Sequence, residues 1–234
     1  MKTAIVTGAS GGIGEQTARL LSASGYRVLA FYNSNKQAAE CIQAELNAAG
    51  GDVHLFKADF SDQKQVEQAF KQIALYYKKI DLLVNVAGIS VVGTVEDVDA
   101  CQVEKMWQIN ALSAYNCCRL CLPLLKSAQS PSVVNVSSIW GLHGASCEVG
   151  YAMTKHAVIG LTKSLAEEWA YYGISVTCVC PPVVQTKMCA HLSEKDLDEF
   201  CKQTHTTVYT PAAVAKDILF LATQAKSGTI LEEK

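Results

Sequence analysis

The chain has 234 residues, half of them apolar, and its 20 lysines and arginines against 22 aspartates and glutamates leave a formal net charge of -2. That length fits one generous domain able to bury a core, and the charge balance offers no basic field for nucleic acid. No apolar run approaches a membrane span, and Met1-Lys2-Thr3 leads straight into a core strand, so neither a membrane partner nor a secretory leader is expected. Of the ten cysteines, Cys117, Cys118 and Cys121 lie in an apolar helical pattern, while Cys178 and Cys180 alternate on a strand. The Cys118-x-x-Cys121 pair lacks a second pair and a histidine at ligand spacing. Buried free thiols in a reducing cytoplasm are expected, with no metal.

The chain opens with a strand over 4–6 and turns through Thr7-Gly8-Ala9-Ser10-Gly11-Gly12-Ile13-Gly14 into a helix over 15–23. Glycines in such a turn let the backbone approach a pyrophosphate, and the helix amino terminus supplies N–H groups and partial positive charge. The spacing is Gly-x-x-x-Gly-x-Gly, and a glycine cluster alone serves packing as readily as binding. The pattern then predicts a strand over 28–32, a helix over 37–49, a strand over 52–57, a helix over 65–77 and a strand over 80–85. A long apolar-striped helix follows over 99–126, then a strand over 133–136 ending at Ser137-Ser138. Beyond the next helix come a strand over 174–179, a polar irregular stretch over 187–207 with Ser193-x-x-Asp196 as a cap, a helix over 210–222 and an edge strand over 227–231. Strands alternating with helices throughout predict one α/β domain covering 1–234, a doubly wound parallel sheet of seven strands with helices on both faces.

Chemistry concentrates between Ser138 and Lys155. Tyr151 and Lys155 stand four apart in a helical segment, so their side chains share a face. A nearby ammonium favours phenolate and should lower a phenol pKa that starts near 10, giving a general acid for a carbonyl oxygen. Ser138, at the end of an apolar strand, is placed to join them. A Tyr-x-x-x-Lys spacing by itself is common on surface helices; the glycine turn and the strand-end serine are what single this one out.

Thr7 to Gly14, Asp59, Asn85-Val86-Ala87-Gly88, Asn110, Ser138, Tyr151-x-x-x-Lys155 and Pro181 to Thr186 fall in the order and spacing of the short-chain dehydrogenase/reductase family, which this chain resembles along nearly its whole length. The resemblance implies a Rossmann fold, an NAD(P) cofactor and a catalytic set of Asn110, Ser138, Tyr151 and Lys155. It implies cofactor contacts from Gly8, Ser10, Gly11, Gly12, Ile13 and Gly14 in the turn, and from Tyr32, Asn33 and Ser34 after the second strand. Asp59 and Phe60, then Asn85, Ala87 and Gly88, then Pro181 and Thr186, would complete the binding surface with Tyr151 and Lys155. Trp140, His143 and Glu148 would face the substrate, and a mobile lid would span about 187–210.

An NAD enzyme usually carries an acid after the second strand for the ribose hydroxyls. Here the run is Tyr32-Asn33-Ser34-Asn35-Lys36, so NADP(H) is favoured over NAD(H), although many NADP-using relatives carry an arginine where this chain has Gly11. Three departures from the family pattern stand out: Val86 for a second asparagine, Pro182 for a glycine, and no Asp-Gly-Gly ending near the strand that often joins tetramers. Overall the pattern is similar to the β-ketoacyl-carrier-protein reductases, which implies a ketone borne on a small molecule, carrier or protein, and a homo-oligomer, dimer or tetramer. The Trp140, Glu148 and Leu192–Leu197 segments resemble a Firmicutes subgroup associated with reducing an aminopentanone on a lysine of elongation factor P. A carboxylate at Glu148 could pair with a cationic amine, or stand idle in solvent. A dinucleotide-binding sensor without chemistry is the third reading, against which the complete set of four residues weighs.

Overall fold

Every strand of the central sheet carries apolar residues on both its faces. In β1 (Lys2–Val6), Ile5 points to one side and Ala4 and Val6 to the other, all fully buried. In β2 (Tyr26–Tyr32), Leu29 and Phe31 oppose Val28 and Ala30, and in β4 (Leu82–Asn85), Leu83 opposes Leu82 and Val84. Strands buried on two faces belong in a parallel sheet with a helical layer on each side. Each fully buried Val, Leu or Ile contributes about 1.5–3 kcal/mol, so the pattern fixes the register strongly.

The computed structural model describes residues 1–190 and 192–233, apart from the side chain of Gln203. His191, within the expected lid, lies outside the described residues. The sheet is seven-stranded and parallel at every pairing, in the order β3-β2-β1-β4-β5-β6-β7. The remaining strands are β3 (Asp52–Lys57), β5 (Ser132–Val136), β6 (Ser175–Cys180) and β7 (Ile230–Glu232). One helical layer holds α3 (Gln63–Tyr76), α5 (Ser113–Leu125) and α6 (Val149–Glu168), with Phe70, Ile73, Cys117, Cys118, Cys121 and Leu125 in its core. The other holds α1 (Gly12–Ala23) and α8 (Pro211–Thr223), which bring Ala18, Leu21, Val214 and Ile218 to the sheet. The strand order reverses direction at β1 and β4, which opens a crevice at their carboxyl ends.

The expected continuous helix over 99–126 is interrupted. It begins as α4 (Ala100–Met106), widens into a π-helix at Trp107–Leu112 and continues as α5. The Ser113 N–H bonds the Gln108 carbonyl, five residues back, so one turn carries an extra residue; such bulges recur at functional sites. The expected irregular stretch contains α7 (Glu194–Thr204). Its start is a reciprocal box: Asp196 N–H donates to Ser193 Oγ at 3.2 Å, and Ser193 N–H to Asp196 Oδ2 at 2.9 Å. The polar composition hid a helix whose apolar face, Leu197 and Phe200, is only two residues wide. α2 (Lys36–Ala48) starts after Asn35, whose Oδ1 accepts from Ala38 N–H at 3.3 Å. Among the described residues no helix is long and apolar enough to cross a membrane.

Candidate active site

The glycine turn leaves β1 and enters α1 across a very close approach. A Cβ on Gly14 would strike the Gly8 carbonyl oxygen, so only glycine lets the helix start that near the strand. Gly12 takes a positive φ of 55°, and a Cβ there would also press on the Thr186 methyl at 3.1 Å. Thus the turn, the first helix and the Thr186 segment meet at one point, with the free N–H groups of α1 beside it. Thr7 locks the opposite wall: its Oγ1 accepts from Val86 N–H at 2.9 Å and Ala87 N–H at 3.0 Å. Val86, where relatives carry asparagine, packs its side chain against the core of the α1 and α8 layer.

From this turn a cleft of about 550 Å³ runs across the carboxyl ends of the strands. Gly8, Ser10, Gly11, Gly12 and Ile13 line it at the turn, with Thr186 against Gly12; Val86, Ala87 and Gly88 line it too, as do Ser138, Tyr151, Lys155 and Pro181. An adenine dinucleotide fits such a surface: glycines where backbone approach is needed, open space at Gly11, and a helix terminus aimed at a phosphate.

Ser138 caps a short 3-10 turn after β5. Its Oγ accepts from Trp140 N–H at 3.2 Å, and the hydroxyl also interacts with the Tyr151 phenol, drawing its pKa down. Lys155 is buried, 4% exposed; its Nζ donates to the Val136 carbonyl at 3.0 Å and sits 5.5 Å from the Tyr151 ring centroid. Burial pulls the Lys155 ammonium down to about 8. Tyr151 departs from expectation. Burial pushes its phenol well above the ordinary range, the Glu148 carboxylate pushes it further, and only the Ser138 hydrogen bond opposes them. The four-residue spacing correctly puts lysine and tyrosine side by side, but an ammonium over the ring face does not offset desolvation of the phenolate.

Asn110, in the π-turn and 3% exposed, is tied at three points. Its Oδ1 accepts from Ile89 N–H at 2.8 Å, while Nδ2 donates to the Ile89 carbonyl at 2.9 Å and to Thr154 Oγ1 at 3.0 Å. A Cβ on Gly88 would lie 3.4 Å from Asn110 Oδ1 and 3.6 Å from Lys155 Nζ, so the β4 turn, the π-turn and α6 converge. Asn85 is a step deeper: its Nδ2 donates to Asn135 Oδ1 at 2.8 Å, and Asn135 in turn donates to Thr162 Oγ1 at 2.9 Å. That chain ties β4, β5 and α6 together beneath the cleft.

The remaining sequence candidates scatter. Glu148 lines the cleft and accepts from Ser90 Oγ at 2.9 Å; Trp140 lines it too, its ring 5.5 Å from that of Phe200 on α7. His143 is exposed and reaches Glu232 of β7 at 3.3 Å instead of the cleft. Asn35, which caps α2, and Ala38 within it line the cleft as well, and Tyr32, Asn33 and Ser34 are not among its lining residues. Asp59 spends its carboxylate on Ser61, accepting from N–H at 2.8 Å and from Oγ at 2.6 Å, with a further bond from Asn33. Phe60 turns its ring into the core, 5.7 Å from Phe31. Sequence reading missed Ser90, Asn35 and Phe200. Asn35 carried a signal, a helix-capping type before a helical run; Phe200 stood at the i+3 position from Leu197 in the capped segment; Ser90 carried none.

Comparison with known proteins agrees with this geometry. Residues 2–197 match the family model described as short chain dehydrogenase. An uncharacterized oxidoreductase of Bacillus subtilis is 36% identical over 97% of this chain and 93% of its own length. The 3-oxoacyl-[acyl-carrier-protein] reductase of Staphylococcus aureus is 32% identical over 94% and 90%. Among solved structures, one from Beutenbergia cavernae with bound NADP superposes with a TM-score of 0.92 at 28% identity, covering 99% of this chain and 94% of that one. A dehydrogenase/reductase from Sinorhizobium meliloti gives the same TM-score at 25% identity, covering 99% and 93%. With its parallel sheet, glycine turn and tyrosine beside a buried lysine, this chain belongs to the short-chain dehydrogenase/reductase family of oxidoreductases.

Proposed function

We propose that the protein reduces a ketone to a secondary alcohol with NADPH, in the manner of a 3-oxoacyl-[acyl-carrier-protein] reductase. One observation carries this reading: the Tyr151 phenol, the Ser138 hydroxyl and the buried Lys155 ammonium meet at one end of a single cleft that opens at the glycine turn. When bound, the nicotinamide supplies a hydride to the carbonyl carbon. Ser138 donates to the carbonyl oxygen and holds it against Tyr151. As negative charge gathers on that oxygen, Tyr151 gives up its phenolic proton, forming the O–H bond of the alcohol. A phenol held high in pKa stays protonated at neutral pH, the state this direction requires, and an alkoxide is a stronger base than even this phenolate. Lys155 places a positive charge beside the phenolate left behind and binds the nicotinamide ribose, and Asn110 positions the proton supply.

The absence of an acid among Asn33, Ser34 and Asn35, with Lys36 next in line, supports NADP(H) over NAD(H). The Trp140–Phe200 contact joins α7 to the serine end of the site, so we take about 187–210 as the substrate lid. Its two ends are pinned to each other, Tyr209 N–H donating to the Val183 carbonyl and Gln185 N–H to the Tyr209 carbonyl, each at 2.9 Å. Trp107, Leu112 and Tyr115 together with Val149 and Met153 on the adjoining α6 form an exposed apolar face, which supports a homo-oligomer. The ten free cysteines, five of them buried, suit a reducing compartment such as the cytoplasm.

Glu148 favours a second reading for the substrate. Its carboxylate lies close enough to Tyr151 to raise the phenol, in a cleft whose lining also includes Trp140, Val92, Leu192, Phe200 and one further cation, Lys187. A ketone bearing a cationic amine, as in the aminopentanone group on elongation factor P, would pair with it. Following nicotinamide absorbance with acetoacetyl thioesters set against amine-bearing ketones separates the two. Turnover of neither class, with tight nucleotide binding retained, would leave only a dinucleotide-binding sensor.

A further inference from the structure

Thr154 takes no part in the chemistry just described, yet it is fully buried and holds two bonds that link the site's parts. Its Oγ1 accepts from Asn110 Nδ2 at 3.0 Å and donates to the Tyr151 carbonyl at 2.7 Å. A hydroxyl has one proton. Because that proton is committed to the Tyr151 carbonyl, Oγ1 can face Asn110 only as an acceptor. The Asn110 amide must therefore present its NH₂ to Thr154, and its Oδ1 falls to the Ile89 N–H at 2.8 Å. A flipped amide would set oxygen against oxygen at both Thr154 and the Ile89 carbonyl.

The two Ile89 bonds alone come from the loop after β4. The third comes from α6, from the residue between Tyr151 and Lys155 that immediately precedes the lysine. We infer that Thr154 is a positioning residue: its hydroxyl takes the second Asn110 N–H, reinforces the amide orientation that Ile89 also sets, and ties the π-turn to the helix that carries Tyr151 and Lys155. This rests on the proposed roles of those three residues. Valine at 154 keeps the branched shape and removes the acceptor, leaving a buried Asn110 donor without a partner, the costly kind of loss. Serine keeps the acceptor and drops one methyl.

The test compares T154V and T154S with wild type, and repeats T154V in an N110A background. T154V should lower kcat about tenfold and alter the pH dependence of kcat, with the NADPH dissociation constant within about twofold and T154S close to wild type. In the N110A background the valine should have little further effect, as expected of one residue acting through another. T154A serves if valine fails to fold. A second readout does not depend on turnover: in ¹⁵N spectra the Asn110 side-chain NH₂ should be slow to exchange with solvent in wild type and T154S, and fast in T154V. Folded T154V with unchanged kcat and unchanged Asn110 exchange, or an undiminished valine effect in N110A, would overturn the inference. If wild type reduces no ketone, the functional reading fails, while the exchange comparison still decides the role of Thr154.

Discussion

Replacing Lys155 with methionine should make the cofactor-free protein more stable while removing its activity. The ammonium is 4% exposed, and the described residues offer it one hydrogen-bonding partner, the Val136 carbonyl at 3.0 Å. A fall from an ordinary 10.5 to about 8, at about 1.4 kcal/mol per pH unit, means that burying the charged form costs about 3 kcal/mol at neutral pH. Methionine is similar in length and apolar, so it removes that cost and forfeits the bond to Val136, worth about 1–2 kcal/mol. The net gain at pH 7 is about 1–2 kcal/mol, or a Tm higher by about 2–8 °C for a chain of this size. The sign follows from proton counting. Between pH 8 and 10.5 the unfolded chain holds a proton that the folded chain has released, so wild-type stability rises with pH across that window relative to the mutant. Urea unfolding of both proteins at pH 7 and pH 9.5 should show the difference shrinking by about 2 kcal/mol, so that it vanishes or reverses in sign. A methionine variant less stable than wild type at pH 7, or a difference that does not move with pH, would refute the claim that the lysine is held at a cost.

Three further outcomes follow from the site's charges and surfaces. Glu148→Gln removes the carboxylate that lifts Tyr151, so the rising limb of alcohol oxidation, which needs phenolate, should move to lower pH; with amine-bearing ketones KM should also rise about tenfold or more, while an acetoacetyl thioester is unaffected. Lys36→Glu adds a carboxylate beside the α2 terminus at the adenine end, where the lysine's exposed contact to Glu40 at 3.4 Å contributes little; the ratio of NADPH to NADH affinity should fall about tenfold, read by fluorescence titration. Charging the exposed apolar face with Trp107→Glu and Met153→Glu together should reduce the mass measured by light scattering to that of one chain, with the circular dichroism spectrum kept.

The order of elements was legible in the sequence because nearly every one has a strong signal of its own. β3 was read to the residue, since glycines bound it on one side and an acid-led turn on the other. The helix over 99–126 could not be read as broken, because its π-turn is fixed by bonds from Asn110 to Ile89, twenty-one residues away in sequence. The same limit applies to charge: spacing placed Lys155 beside Tyr151, but burial and Glu148 decide which way the phenol shifts, and burial is a property of the packed site. After the second strand the run Tyr32 to Lys36 was legible, while the cap that starts α2 and brings Asn35 to the cleft becomes plain only in the structure. Thr154 lay unread between two conspicuous residues, its role being visible only once Asn110 is seen to face it.

The most direct test is a single comparison of wild type and Tyr151→Phe, each mixed with NADPH and the best ketone substrate and followed at the nicotinamide absorbance. Wild type should oxidise NADPH only when ketone is present; the phenylalanine variant should bind NADPH within about threefold of wild type and turn over at least about a thousandfold more slowly. A Tyr151→Phe protein that keeps the wild-type rate would contradict the assignment of that phenol as the proton donor.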